Sequence, residues 1–246
     1  MKVIFLAAGR GVRFGDSEVP KPLIKIGNKT LIEYSLDAIS QAGIKKAIIV
    51  TGYLKEQIKK RLGSSYKDVL IEYVDNDNYL TTDSMHSLYL TKNLINDDVI
   101  ILESDLIYDP LMINKILDSD YKNIIVNSEL TGSNDMVLVS SKDNIRIDAI
   151  GKNIIKENLI GEYIGISKLS KEFLDGLFSF FENNHLNDEK KHWCEETMVE
   201  YAKKFGKQLL PFLCNELVWA EIDNKWDFEK AVKNVFPKLN YESRNT

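Results

Sequence analysis

Three glycines (Gly9, Gly11, Gly15), two arginines (Arg10, Arg13) and a lysine held between prolines (Pro20-Lys21-Pro22) follow the apolar run Val3 to Ala8. Glycine lets backbone N–H groups approach a ligand because no Cβ intervenes, and the cations supply the charge a polyphosphate needs. Two common phosphate cradles do not fit. A Walker loop requires Gly-Lys-Ser/Thr at its end, whereas Gly15 runs into Asp16-Ser17. A dinucleotide fingerprint requires GxGxxG and a carboxylate at the end of the second strand. Here the third glycine comes one residue late, and the second strand ends Val50-Thr51-Gly52-Tyr53. An ordinary surface loop is the bland alternative, and it leaves this density of glycine and cation unexplained.

Carboxylates make a second set. Glu103-Ser104-Asp105 follows the apolar run Asp98 to Leu102, and Asp223 closes Leu217 to Asp223. Acids just past a central strand sit at the open edge of a sheet, where Mg²⁺, which prefers oxygen ligands, could bridge phosphate oxygens. The competing role for such residues is turn formation or helix capping. Thr81, Thr82, Asp83 and Ser84 gather at an expected helix start and are either caps or nucleotide contacts. Trp193 beside Glu195 and Glu196 suits a cationic group by cation–π and charge attraction, or is an exposed helix start. His86, His185 and His192 share no metal-ligand spacing and receive no chemical role.

L-A-A-G-x-G-x-R followed by P-K-P, carried by Leu6, Ala7, Ala8, Gly9, Gly11, Arg13, Pro20, Lys21 and Pro22, resembles the nucleotidyltransferases of the sugar-phosphate and phosphocholine type. The later segment E-I-D-N-x-x-D-F around Asp223 resembles the place of that family's second metal-binding aspartate. Val12 departs from the family's usual small polar residue, and Glu103 stands where the family often has another residue. The resemblance implies transfer of a nucleoside monophosphate to a phosphate or phosphonate oxygen, with pyrophosphate leaving. It implies Arg13 on the leaving phosphates, Lys21 on the α-phosphate, and Mg²⁺ on Asp105 and Asp223. Leu6, Ala7, Ala8, Gly9, Gly11, Thr82, Asp83, Ser84 and Ser87 would contact the nucleotide.

On the acceptor side, Gly161-Glu162-Tyr163 resembles the family's acceptor-binding segment. Asp135 opens an expected hairpin towards that site, Lys152 or Lys156 would reach an acceptor phosphate, and Trp193, Glu195 and Glu196 complete the set. The small cytidylyltransferases acting on phosphocholine or 2-aminoethylphosphonate are the nearest likeness, so CTP is the favoured nucleotide. A sugar-1-phosphate nucleotidyltransferase using UTP or dTTP is the rival within the family. A non-catalytic nucleotide-binding domain and a NAD(P)-binding Rossmann domain are the rivals outside it.

These residues need a scaffold. Strand and helix patterns alternate through Val74, which predicts an α/β fold: a doubly wound, mostly parallel sheet flanked by helices, Rossmann-like, with ligands beyond the carboxyl ends of its strands. Met136 to Ser141 and Ile145 to Ile150 read as a hairpin that makes the sheet mixed. The 246 residues are expected to form one domain over 1–240, mainly nucleotide-binding to 110 and acceptor-binding after it, with a frayed tail at 241–246. A net charge of -5 without a basic block argues against nucleic acid as a partner. The first apolar run is too short for a signal peptide or a membrane span, and Cys194 and Cys214 lack CxxC spacing. A cytoplasmic protein without membrane insertion is the expectation, with a homodimer left open.

Overall fold

The computed structural model describes residues 1–11, 18–133, 135–155, 157–188 and 190–239. Its first half alternates as the sequence predicts. β1 (Lys2–Ala7) leads through the short β2 (Lys25–Ile26) and β3 (Lys29–Thr30) to α1 (Leu31–Gln41). β4 (Lys46–Thr51), α2 (Lys55–Leu62), β5 (Ser65–Tyr66) and β6 (Val69–Asp75) follow. The Glu33 carboxylate accepts hydrogen bonds from the Thr30 N–H and hydroxyl, a reciprocal cap that starts α1. Gly63, at φ +66°, stops α2.

α3 (Ser84–Tyr89), β7 (Val99–Glu103), β8 (Leu106–Tyr108), α4 (Leu111–Asp118) and β9 (Ile124–Ser128) form the middle of the chain. β1 lies between β4 and β7 and is parallel to both, with Val3 opposite Ala47 and Ile100. Being covered on both faces, it is apolar from Val3 to Ala7, and Val3, Ile4 and Phe5 are fully buried. β6 extends the parallel set beyond β4. The carboxyl ends of β1, β4, β6 and β7 therefore share one edge.

The remaining elements are β10 (Leu138–Ser140), β11 (Ala149–Gly151), β12 (Leu159–Leu169), α5 (Lys171–Asn184), α6 (Cys194–Phe205), β13 (Leu210–Leu213), β14 (Trp219–Glu221) and α7 (Lys225–Lys230). β12 runs antiparallel to β7, β9 and β10, so the sheet is mixed, as expected. Among the described residues its order is β11-β10-β12-β7-β1-β4-β6-β5, with β9 on β12 and β13 on β9. The pairing of β12 with β9 shifts register between Tyr163 and Ser167, an irregularity of the kind that bends a long strand. Strands of the second half thus continue the sheet begun by the first.

The expected hairpin is only partly built. Its second strand shortens to β11, because the Asp143 carboxylate accepts from the Ile145 and Arg146 N–H groups and holds a turn there. Ile145 is left exposed. The expected strand from Leu217 to Asp223 shrinks to β14, which pairs with β8 in a separate ribbon. α5 buries Phe173, Leu174, Leu177, Phe178 and Phe181, as its spacing predicts. No helix of the described residues is long and apolar enough to cross a membrane.

Candidate active site

Lys21 stands in a single 3-10 turn, Lys21–Leu23, entered from Pro20 and containing Pro22. The two prolines preset the backbone and aim the side chain along the loop that leaves β1. Its stem crosses Gly11, whose φ is +63° and where a Cβ would lie 2.7 Å from Lys21 Cγ. Gly11 therefore serves the lysine directly. Gly11→Ala is expected to displace the ammonium and lower the catalytic rate. An unchanged rate would refute that coupling.

The Lys21 ammonium lies 3.1 Å from Asp105 Oδ2 and also donates to Asp223 Oδ1. These partners are 84 and 202 residues away in sequence. Burial by itself lowers the lysine pKa, but attraction to Asp105 and then Asp223 outweighs it and raises the pKa above its usual value. Asp223 does not cap the helix that follows it. Asn224 takes that task, accepting from the Asp227 N–H, while the Asp227 carboxylate accepts from the N–H groups of Asp223 and Asn224. The capping alternative for Asp223 is thus met by its neighbour.

Two further acids join them. Glu103, Asp105 and Glu221 each offer a carboxylate oxygen, and these atoms lie within 4.8 Å of one another. Burial pushes the Glu103 pKa well above the usual range, helped by the charges of Glu221, Asp105, Glu195 and Asp223. Asp105 Oδ1 is buried and has no hydrogen-bond partner. An all-oxygen donor set with excess negative charge and an unsatisfied buried acceptor fits a hard divalent cation. The sequence reading left Glu103 in doubt and missed Glu221. The missed signal was spacing: Glu221 and Asp223 are two apart at a strand end and can share a face.

The acids open into a cleft of ≈ 1010 Å³ at the carboxyl edge of the sheet. Its lining includes Leu6, Ala7, Ala8, Gly9 and Gly11 with Thr82, Asp83, Ser84 and Ser87. Ser84 Oγ accepts from the Cys194 N–H, tying α3 to α6, and Ser87 Oγ accepts from Asn76 Nδ2. Asn76, which also lines the cleft, was not foreseen. Asp83 Oδ2 is buried without a hydrogen-bond partner, while Oδ1 is 3.5 Å from Lys191 Nζ. Arg13 lies outside the described residues.

Asp135, Lys152, Trp193, Glu195 and Glu196 also line the cleft. Lys152 Nζ is 3.1 Å from Asp135 Oδ1. Trp193 is 46% exposed, leaving its ring open to a ligand. Burial pushes the Glu195 pKa up to about 7, opposed by a backbone hydrogen bond and assisted by Glu196. The folded chain then keeps a proton that the unfolded chain releases near the ordinary 4.5. The contribution of Glu195 to stability is greatest below that value and is lost as pH rises through about 7. Glu195→Gln is therefore expected to melt above wild type at about pH 8 and close to it below about pH 4.5. A melting difference independent of pH would contradict the shift.

Glu162 is a correction. It is 3% exposed and absent from the cleft wall, its carboxylate accepting from the Thr131 N–H and hydroxyl. Gly161 likewise answers to packing: at φ +146° its Cβ would lie 2.1 Å from the Ser128 carbonyl oxygen on β9. Glu162 therefore helps hold the 129–131 loop, where the sequence likeness had suggested acceptor contact. Lys156 lies outside the described residues.

Known proteins share this arrangement of fold and sequence. The chain is 29% identical over 249 residues to the bifunctional protein GlmU of Methanococcus maripaludis, covering 97% of this chain and 55% of that protein. It is 33% identical over 129 residues to the choline-phosphate cytidylyltransferase of Streptococcus pneumoniae, covering 50% and 53%. With the CTP:phosphoglutamine cytidylyltransferase of Campylobacter jejuni it shares 26% identity over 260 residues, covering 95% of this chain and 100% of the other. The match covers 19% to 55% of the length of several of these curated relatives. A solved putative glucose-1-phosphate thymidylyltransferase from Bacillus anthracis superposes with a TM-score of 0.78 at 18% identity, covering 94% of both chains. The inositol-1-phosphate CTP transferase of T. maritima gives 0.73 at 19%, covering 92% of this chain and 90% of that one. At these identities the two structures establish the fold. Residues 3–151, more than half of the chain, match the family model of the MobA-like NTP transferase domain, and the chain belongs to that nucleotidyltransferase family.

Proposed function

We propose that the chain transfers CMP from CTP to a small phosphate or phosphonate acceptor and releases pyrophosphate. The observation that carries this reading is the ammonium of Lys21 lodged between Asp105 and Asp223 at the floor of one cleft. Such a site brings polyanions and counter-charges together in a place partly shielded from water, where electrostatic stabilisation is strongest. The acceptor oxygen is already anionic near neutral pH and attacks the α-phosphorus in line. Its O–P bond forms as the bond to the pyrophosphate oxygen breaks, so no general base is required. Catalysis then consists of positioning and charge neutralisation.

Lys21 is assigned to the growing charge on the α-phosphate, and Arg13 to the leaving phosphates. Asp105 and Asp223 are the assigned holders of Mg²⁺, with Glu221 beside them. Bound Mg²⁺ would supply positive charge across phosphate oxygens. Leu6 to Gly11, Thr82 and Asp83 form the nucleotide wall. Ser84→Ala with Ser87→Ala is expected to raise the nucleotide KM, and an unchanged KM would remove both hydroxyls from this role. Elsewhere on the lining Trp193, Glu195 and Glu196 favour an acceptor bearing an ammonium, and Lys152 and Asp135 favour its polar groups.

The name of the C. jejuni relative and that of S. pneumoniae support CTP, while the GlmU and thymidylyltransferase likenesses keep a sugar-1-phosphate acceptor with UTP or dTTP as the second reading. A grid of the four nucleoside triphosphates against phosphocholine, 2-aminoethylphosphonate and sugar phosphates, read by pyrophosphate release, separates them. CTP with an ammonium-bearing acceptor should give the highest kcat/KM. Pyrophosphate release only with a sugar phosphate would establish the second reading, and none in any pair would favour a nucleotide-binding domain. The assignment of residues 1–110 mainly to the nucleotide and 111–240 mainly to the acceptor belongs to the same proposal. So does a cytoplasmic setting, which the two free, buried cysteines support.

A further inference from the structure

The chain that links α5 to α6 holds a second donor set, with different chemistry from the carboxylates of the cleft. His185, Asp188 and His192 each offer one ligand atom, and the three atoms lie within 4.8 Å of one another. The spacing, H-x2-D-x3-H, would share one face of a helix, but the described residues from His185 to His192 form no helix, and a turn brings the three together instead. The turn after Asn184 folds the segment back, so that the two imidazole rings face each other with centroids 4.2 Å apart. Asp188 Oδ2 is 3.3 Å from His192 Nε2.

The environment of His185 points to a ligand. Its Nε2 is 3.1 Å from Glu200 Oε2 on α6, and its Nδ1 is buried with no hydrogen-bond partner. When Nε2–H donates to Glu200, the lone pair resides on Nδ1. That is the arrangement by which an outer carboxylate fixes the tautomer of a metal-bound histidine and raises its basicity. Phe180 packs edge-on against the His185 ring, with centroids 5.2 Å apart, and Phe181 lies edge-on to His192 at 6.2 Å. Both phenylalanines are buried, so the imidazoles sit against a dry surface that limits solvent access.

We propose that His185, Asp188 and His192 bind one first-row transition cation of the Zn²⁺ type, with Glu200 as the outer carboxylate. Neutral imidazole with one carboxylate suits such borderline ions better than Mg²⁺, which prefers oxygen alone. The ion would cross-link the end of α5 to the segment entering α6. That segment also docks on α3: the Met85 N–H donates to the His192 carbonyl, and the Cys194 N–H donates to Ser84 Oγ. A bound ion would therefore stiffen the cleft wall that carries Trp193 and Glu195 without touching substrate.

The test uses the whole chain, stripped with chelator and dialysed, and titrated with Zn²⁺ by calorimetry in saturating Mg²⁺. One equivalent is expected to bind despite the Mg²⁺ and to raise the melting temperature. Co²⁺ in its place should give visible ligand-field absorption. Glu200→Gln should weaken Zn²⁺ by about 10–100-fold. His185→Ala with His192→Ala should abolish the bound equivalent and the Co²⁺ spectrum. Asp188 is exposed, so Asp188→Asn offers a folded variant, checked by circular dichroism, that should also weaken binding. Failure of wild type to bind Zn²⁺ under Mg²⁺ would overturn the site. Binding that survives the histidine or Asp188 changes undiminished would overturn it as well.

Discussion

Lys21→Ala is expected to lower kcat for pyrophosphate release by about 10²–10³-fold, the loss typical when one donor to a developing charge is removed. Its effect on the nucleotide KM should be small by comparison, because the ammonium is assigned to the transition state more than to the bound triphosphate. The ligand-free chain should also lose stability. Asp105 and Asp223 would remain in a partly buried site without their shared cation, and breaking such a pair leaves an uncompensated charge. Lys21→Arg is not expected to rescue the rate. A planar guanidinium on a longer stem does not reproduce a point charge passing over Gly11 between two carboxylates. Initial-rate kinetics on folded variants measures this directly, and activity within tenfold of wild type for Lys21→Ala would end the assignment.

Asp105→Asn and Asp223→Asn are each expected to reduce kcat by about 10²-fold or more, since each amide keeps the shape but removes a negative charge assigned to the divalent ion. Raising the Mg²⁺ concentration should recover part of the loss. Asp227→Asn supplies the control. Its carboxylate accepts from two backbone N–H groups at the start of α7. That change should cost stability by about 1 kcal/mol, as a lost cap does, with a far smaller effect on rate. If all three variants fell equally in kcat, the distinction between cation holder and cap would fail.

The parts of the site readable in sequence were those fixed by local backbone chemistry. The glycine-rich exit from β1, the Pro-Lys-Pro turn and the acids at strand ends all sit on the cleft. The alternation of strand and helix through β6 followed from patterns that need no distant partner. What escaped depended on which distant group a side chain meets. Glu162 looks like a site acid until Thr131 folds onto it. Glu221 looks like a surface charge until β14 pairs with β8 beside Asp105. Asn76 reaches Thr82 and Ser87 only because the chain bends back after β6. The shortened β11 reflects a single aspartate competing for backbone N–H groups, which outweighed the β-branched pattern.

The β8–β14 ribbon has a consequence for how errors in this chain would propagate. Ala220 faces Ile107, and the Ile222 N–H donates to the Asp105 carbonyl, so one short antiparallel register sets the relation between acids far apart along the polymer. An added residue between Trp219 and Asp223 would reverse side-chain parity and turn the last carboxylate towards the apolar layer formed by Ile24, Tyr34 and Ala231. A frameshift in pairing there, with every charged group still encoded, would leave the lysine facing half of its clasp.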